Sequence, residues 1–141
     1  MIGIIVAGHG HFGSGLTSSL ELIAGPQDNY AFIDFDGTGE EKLTKDIRKA
    51  LEELADCEGI LVLCDLPGGS PFKMAVLQSQ GLGHVEVIGG TNLPMLCEMA
   101  LARTMISDLE TLTQSALSIG REQIVRFANA AYEEESEEDG I

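Results

Sequence analysis

Four short apolar runs, each followed by a helical pattern, constrain this chain more than anything else in it. IGIIVAG (2–8), YAFIDF (30–35), GILVLCDL (59–66) and VEVIGG (85–90) are β-branched and bounded by turn residues, which marks them as buried strands. After the first run, Phe12, Leu16, Leu20 and Ile23 recur at helical spacing, as do Leu43, Ile47, Leu51 and Leu54 after the second. Ser70-Pro71 reads as an N-cap with proline at the first helical position, opening a helix to about Gln80. Asn92-Leu93-Pro94 opens another, with Leu96, Met99, Ala100 and Arg103 following. A last helix is expected from about Asp108 to Ile119, stopped by Gly120, and the segment EQIVRFANAAY fits either a short strand or more helix. Near-continuous apolar strands alternating with helices require a parallel sheet covered on both faces. Right-handed crossovers then give one doubly wound α/β domain with strand order 2-1-3-4.

Composition narrows the class of partner. At 141 residues the chain is long enough for one well-buried core. No apolar run approaches the ~18–20 residues that span a bilayer. Met1–Val6 lacks the basic start of a secretory signal, so a cytoplasmic protein is expected. Cys57, Cys64 and Cys97 form no C-x-x-C pair, which fits reduced core thiols and no metal site. The net charge is −15, of which the tail EEESEED (133–139) supplies six acids. The body still holds 17 acids against 8 bases, a surface that repels nucleic acid and suits a basic protein partner. The division expected is a domain over 1–130 and an acidic, disordered tail over 131–141.

In a sheet of this order, ligands bind where the winding reverses, between strands one and three. The loops meeting there are Gly8-His9-Gly10-His11 and Asp65-Leu66-Pro67-Gly68-Gly69-Ser70-Pro71. They bring an imidazole (His9), an acid (Asp65), a hydroxyl (Ser70) and the amides of Gly68 and Gly69 into one space. A neutral imidazole attacks phosphorus only through a nitrogen bearing a lone pair. A carboxylate taking the other N–H fixes that tautomer and stabilises the cation formed. Asp65 fits that role, while Ser70 and the Gly68 and Gly69 amides at a helix start can donate to a phosphoryl group. Each also has a plainer reading: Asp65 as a turn residue, Ser70 as a helix cap, the glycines as a tight turn. His84 precedes strand four at the opposite edge, and His11 begins the first helix or lines a docking surface.

Gly8, Gly10 and Gly13 also spell G-x-G-x-x-G, with Asp34 or Asp36 where a ribose-binding acid would stand. Against a dinucleotide-binding module, 141 residues leave no second half-sheet and no substrate domain. A receiver-like domain lacks support, because no acidic pair closes strand one and no lysine follows strand four.

IIVAGHG, DLPGGSPF, IGGTNLPMLCEMALAR and the GRE at 120–122 together resemble the IIA component of the mannose-family phosphoenolpyruvate:sugar phosphotransferase system, over nearly all of residues 1–130. Gly8 and Leu66-Pro67, where several relatives carry threonine and Thr-Trp, look more like its N-acetylgalactosamine branch. The resemblance implies a flavodoxin-like fold, completed by a fifth, antiparallel strand near Gln123–Phe127 exchanged in a homodimer. It implies that His9 takes a phosphoryl group from the phosphocarrier protein HPr and passes it to a IIB protein, here on a separate chain. The membrane IIC and IID components then lie downstream. It further implies that Asp65 orients His9, that Ser70 lies beside the phosphoryl group, and that no cofactor is needed. A phosphohistidine subunit of a phosphoenolpyruvate-dependent dihydroxyacetone kinase would use the same histidine.

Overall fold

Alternation along the strands decides how the layers assemble. In the computed structural model, which describes residues 1–128, β1 (Gly3–His9) is central and places Ile4 and Val6 on one face, Ile5 and Ala7 on the other. It pairs in parallel with β2 (Tyr30–Phe35) on one side, from Ile4 opposite Tyr30 to His9 opposite Phe35. On the other side it pairs with β3 (Ile60–Cys64), from Gly3 opposite Ile60 to Ala7 opposite Cys64. β4 (Val85–Ile88) pairs in parallel with β3, so the order is β2-β1-β3-β4, as the crossover argument requires. The expected acidic tail at 131–141 lies outside the described residues.

Both faces are covered. α1 (Phe12–Ala24), α4 (Leu93–Ala102) and α5 (Leu109–Glu122) close one face, where Leu20, Leu96, Met99 and Leu112 pack on Ile4, Val6, Leu61 and Leu63. α2 (Glu40–Glu53) and α3 (Ser70–Ser79) close the other, where Leu43, Ile47, Leu51 and Ala75 pack on Ile5, Ala7, Val62 and Cys64. Full burial of each such leucine, isoleucine, valine or methionine side chain is worth about 1.5–3 kcal/mol, so these two cores hold the sheet between its helices. The edge strands depart from the fully buried expectation, because Phe32 in β2 is half exposed.

Three local expectations are corrected. The N-cap of α3 is Gly69, in extended backbone, and Ser70 is already helical, so Pro71 stands at the second helical position rather than the first. Gly120 does not stop α5, which continues to Glu122. It is a contact glycine: a Cβ there would lie 2.6 Å from Met95 Cε, and its carbonyl accepts a hydrogen bond from Asn92 Nδ2 at 2.9 Å. On α1 the buried stripe is Gly13, Thr17 and Leu20, with Gly13 set close against the Ile33 carbonyl of β2, and Ile23 is exposed. Residues 124–128 are neither helix nor strand in the single chain, with Ile124, Val125 and Phe127 exposed.

Arg103, at the end of α4, is a buried cation at the amino-terminal pole of the sheet. Its Nη1 donates to the carbonyls of Ile2 (3.0 Å) and Asn29 (2.9 Å), and Nη2 donates to Gln27 Oε1 (3.1 Å) and the Asp28 carbonyl (2.6 Å). One side chain thereby fastens α4 to the starts of β1 and β2. Among the described residues, no helix is long and apolar enough to cross a membrane.

Candidate functional site

The carboxyl ends of β1, β2 and β3 supply the site. His9 is the last residue of β1, two positions past its final pairing with β3, so its side chain stands clear of the sheet. Asp65 follows β3 directly. Its Oδ2 accepts both the backbone N–H of His9 (2.8 Å) and a hydrogen bond from Nδ1 of the ring (2.8 Å), while Oδ1 accepts the N–H of Leu66 (2.7 Å). Burial of the carboxyl works against its charge, yet these three donors outweigh burial and hold Asp65 below the ordinary carboxylate range.

An ionised carboxylate only accepts, so the nitrogen facing it must carry the ring proton. The neutral imidazole then has its lone pair on Nε2, which has no hydrogen-bond partner among the described residues. The His9 side chain is 41% exposed, open to a macromolecule, whereas that of Asp65 is 15% exposed. Sequence reasoning brought these two together correctly.

The other expected residues fall on the β3–α3 loop beside them. Gly68 turns the chain with φ +79°, and Gly69 caps α3. The Gly69 N–H donates to the Leu66 carbonyl at 3.0 Å. Ser70 opens α3 half-buried, its hydroxyl without a hydrogen-bond partner among the described residues. With proline next, the first turn of α3 presents amides that no carbonyl of the helix itself can satisfy.

Phe35 is the residue that sequence reasoning missed. Its ring stands edge-on to the His9 imidazole, with centroids 5.7 Å apart and planes at 65°. The signal lay in the register, since His9 and Phe35 are paired positions of parallel strands.

The glycine pattern has a structural explanation throughout. A Cβ at Gly8 would overlap the Phe12 ring, and one at Gly13 would meet the Ile33 carbonyl at 2.8 Å and Asp34 Oδ1 at 2.9 Å. Asp34 is occupied locally: it accepts from Ser14 Oγ (2.6 Å) and the Ser14 N–H (2.9 Å), with His11 Nδ1 at 3.5 Å. Burial opposes its charge, but these contacts hold it below the ordinary range. The His11 side chain is 94% exposed beside it. His84 is spatially apart, its Nδ1 bound to the Leu82 carbonyl at 2.6 Å just before β4. The three cysteines are free, burial pushes the Cys64 thiol up to about 12, and the described residues include no cluster of three or more metal-ligating side chains.

A doubly wound parallel sheet carrying a carboxylate-held imidazole at its switch point defines a flavodoxin-like domain that presents one unpartnered histidine nitrogen. Comparison with known proteins makes the assignment specific. Residues 3–117 match the family EIIA-man, described as PTS system fructose IIA component, where PTS is the phosphotransferase system. The chain is 36% identical over 124 residues to the PTS system mannose-specific EIIAB component of Escherichia coli K12, covering 87% of this chain and 38% of that protein. It thus spans well under half the length of that relative. It is 26% identical to the fructose-specific EIIA component of Bacillus subtilis, covering 92% of this chain and 94% of that one. The crystal structure of phosphotransferase system component EIIA from Streptococcus agalactiae superposes with a TM-score of 0.79 at 39% identity, covering 90% of this chain and 98% of that chain. The chain belongs to the mannose-type IIA family of phosphotransferase-system components. These relatives favour that reading over the dihydroxyacetone-kinase and dinucleotide-binding alternatives.

Proposed function

We propose that the chain is a phosphocarrier of a sugar-uptake system, taking a phosphoryl group on Nε2 of His9 and handing it on. The observation that carries this reading is the Asp65 clip, which fixes the proton on Nδ1 and leaves Nε2 bearing the lone pair. The lone pair forms the new N–P bond in line as the donor's P–N bond breaks, and the donor imidazole departs with that electron pair. The positive charge arising on His9 is balanced by Asp65. Ser70 Oγ and the amides of Gly68 and the first turn of α3 bind the phosphoryl oxygens. One phosphohistidine replaces another, so the step is nearly thermoneutral and runs in either direction.

The donor is HPr, and the acceptor is a IIB component that serves membrane IIC and IID components. A body charge of −9, from 17 acids against 8 bases, favours a basic docking face on HPr and a fast, salt-sensitive encounter. Two copies associate through the exposed segment around Ile124, Val125 and Phe127, which adds an antiparallel strand to the open edge of the partner's sheet; the apolar exposure of this segment supports that arrangement. Gly8 and Leu66-Pro67 support the N-acetylgalactosamine branch.

The test is incubation with phosphoenolpyruvate, enzyme I and HPr, measuring incorporated phosphate and its acid lability. Parent, His11→Ala and His84→Ala are expected to be labelled, and His9→Ala is not. Full labelling of His9→Ala would sink the assignment.

A further inference from the structure

Two adjacent glycines on the β3–α3 loop have different reasons for being glycine. Gly68 sits at φ +79°, where a side chain strains the backbone. Gly69 sits at φ −71°, ψ 169°, a conformation that any residue adopts. Its N–H is committed to the Leu66 carbonyl, so it is not free to bind a phosphoryl oxygen. A Cβ there would meet two atoms too closely, the Leu66 carbonyl oxygen at 3.3 Å and, more severely, the His9 ring. A Cβ at residue 69 would lie 2.9 Å from Cε1 of His9, inside the ~3.5–4.0 Å of an ordinary carbon–carbon contact.

The opposite side of the ring is also occupied. In the order β2-β1-β3, His9 on β1 lies between Phe35 on β2 and the Asp65–Gly69 loop after β3. The buried Phe35 ring meets the imidazole edge-on at 5.7 Å. Asp65 fixes Nδ1, but a single hydrogen bond leaves the ring free to swing about it. We infer that Gly69 and Phe35 form a slot that fixes the plane of the His9 imidazole and aims Nε2 along one line beside the first turn of α3. Both are positioning residues, acting through His9 on the transferred group. The inference rests on His9 as the phosphoryl acceptor and moves Gly69 from a donor of hydrogen bonds to a provider of space.

The consequence is kinetic. In-line transfer requires the lone pair to point at phosphorus, and a misplacement of about 1 Å costs on the order of 100-fold in rate. A Cβ at residue 69 demands a ring retreat of about 0.6–1.1 Å to restore normal contact, and Phe35 blocks that retreat.

The experiment uses the full chain in single-turnover transfer from phosphorylated HPr, with 15N spectra of the His9 ring. Gly15→Ala, at an exposed position with nothing within 4 Å of the new Cβ, is the control and is expected to match the parent. Gly69→Ala is expected to lower the saturating transfer rate by about 10- to 100-fold while the half-saturating donor concentration stays within about twofold. Its ring signals are expected to shift from one Nδ1-protonated form toward a mixture. Adding Phe35→Leu to Gly69→Ala is expected to return part of the rate, because the ring can then retreat. Phe35→Leu alone is expected to slow transfer several-fold, and it decides the matter if Gly69→Ala does not fold. A parental rate and unchanged spectra in Gly69→Ala overturn the slot. So does a loss confined to the donor's half-saturation, which marks residue 69 as a docking contact. Labelling that survives His9→Ala is a separate failure, of the acceptor assignment itself.

Discussion

Replacing Asp65 by asparagine separates holding a loop from serving a reaction. The carboxylate takes two hydrogen bonds on Oδ2, from the His9 N–H and Nδ1–H, and one on Oδ1, from the Leu66 N–H. An amide offers one oxygen and one NH2, so neither orientation reproduces this set. With the oxygen toward His9, the NH2 meets the Leu66 N–H, donor against donor, but the ring keeps its tautomer. With the NH2 toward His9, it meets the backbone N–H and draws the ring proton to Nε2, removing the nucleophile. The first orientation has fewer conflicts and should prevail, leaving one unsatisfied donor and a stability loss of about 1–3 kcal/mol. What transfer loses is the negative charge beside a ring becoming cationic. A hydrogen bond to a charged group is worth about 1.5–3 kcal/mol, so the rate should fall about 10- to 150-fold. Urea denaturation reads the first quantity, and quenched single-turnover transfer from phosphorylated HPr reads the second. A variant that loses the expected stability yet transfers within about twofold of the parental rate would refute the reasoning, since Asp65 would then only close the turn.

Acid should destabilise the protein through the same group. Asp65 and Asp34 are both held below the ordinary carboxylate range in the fold, so on acidification the unfolded chain, with carboxyls near ~3.9, takes up protons first. Their contribution is complete above that range and is lost as pH falls through the folded-state values. Thermal melts should show this acid limb flattened in Asp34→Asn and Asp65→Asn, and limbs parallel to the parent would count against it. Thr91 is buried, and its hydroxyl lacks a hydrogen-bond partner among the described residues. Thr91→Val should therefore raise stability by about 1 kcal/mol, read as a higher melting temperature, and a lower one would show that the hydroxyl is satisfied.

The layers were legible in the sequence because they depend on patterns of period two and 3.6, which burial enforces across a whole element. Strand order followed from crossover handedness, and that order alone set His9 opposite Asp65. What escaped depends on single contacts. Serine before proline looks like a cap, yet the residue with cap geometry is Gly69, chosen for the room it leaves beside His9. Gly120 resembles a stop but lies inside α5, close against the end of the Met95 side chain on another helix. Phe35 reads as one more apolar strand residue until the register sets it beside His9. Arg103 did leave a trace, a cation at helical spacing on the apolar stripe of Leu96, Met99 and Ala100. Its meaning requires knowing that Ile2 and Gln27–Asn29 end nearby.

Arg103 carries a consequence for how such a chain can change over generations. Its guanidinium fastens α4 to the chain at the amino-terminal pole, while His9 and the β3–α3 loop occupy the carboxyl-terminal pole. Recognition loops can therefore drift without loosening the clasp. A lineage can exchange residues such as Leu66 and Pro67 to suit a new partner while its tolerance for mutation elsewhere stays intact. Substitution at Arg103 has no such freedom, because it strands several acceptors at once. Variation among descendants should accumulate at exposed loop positions such as Leu66 and Pro67, around a fixed His9 and Asp65, and be purged at Arg103.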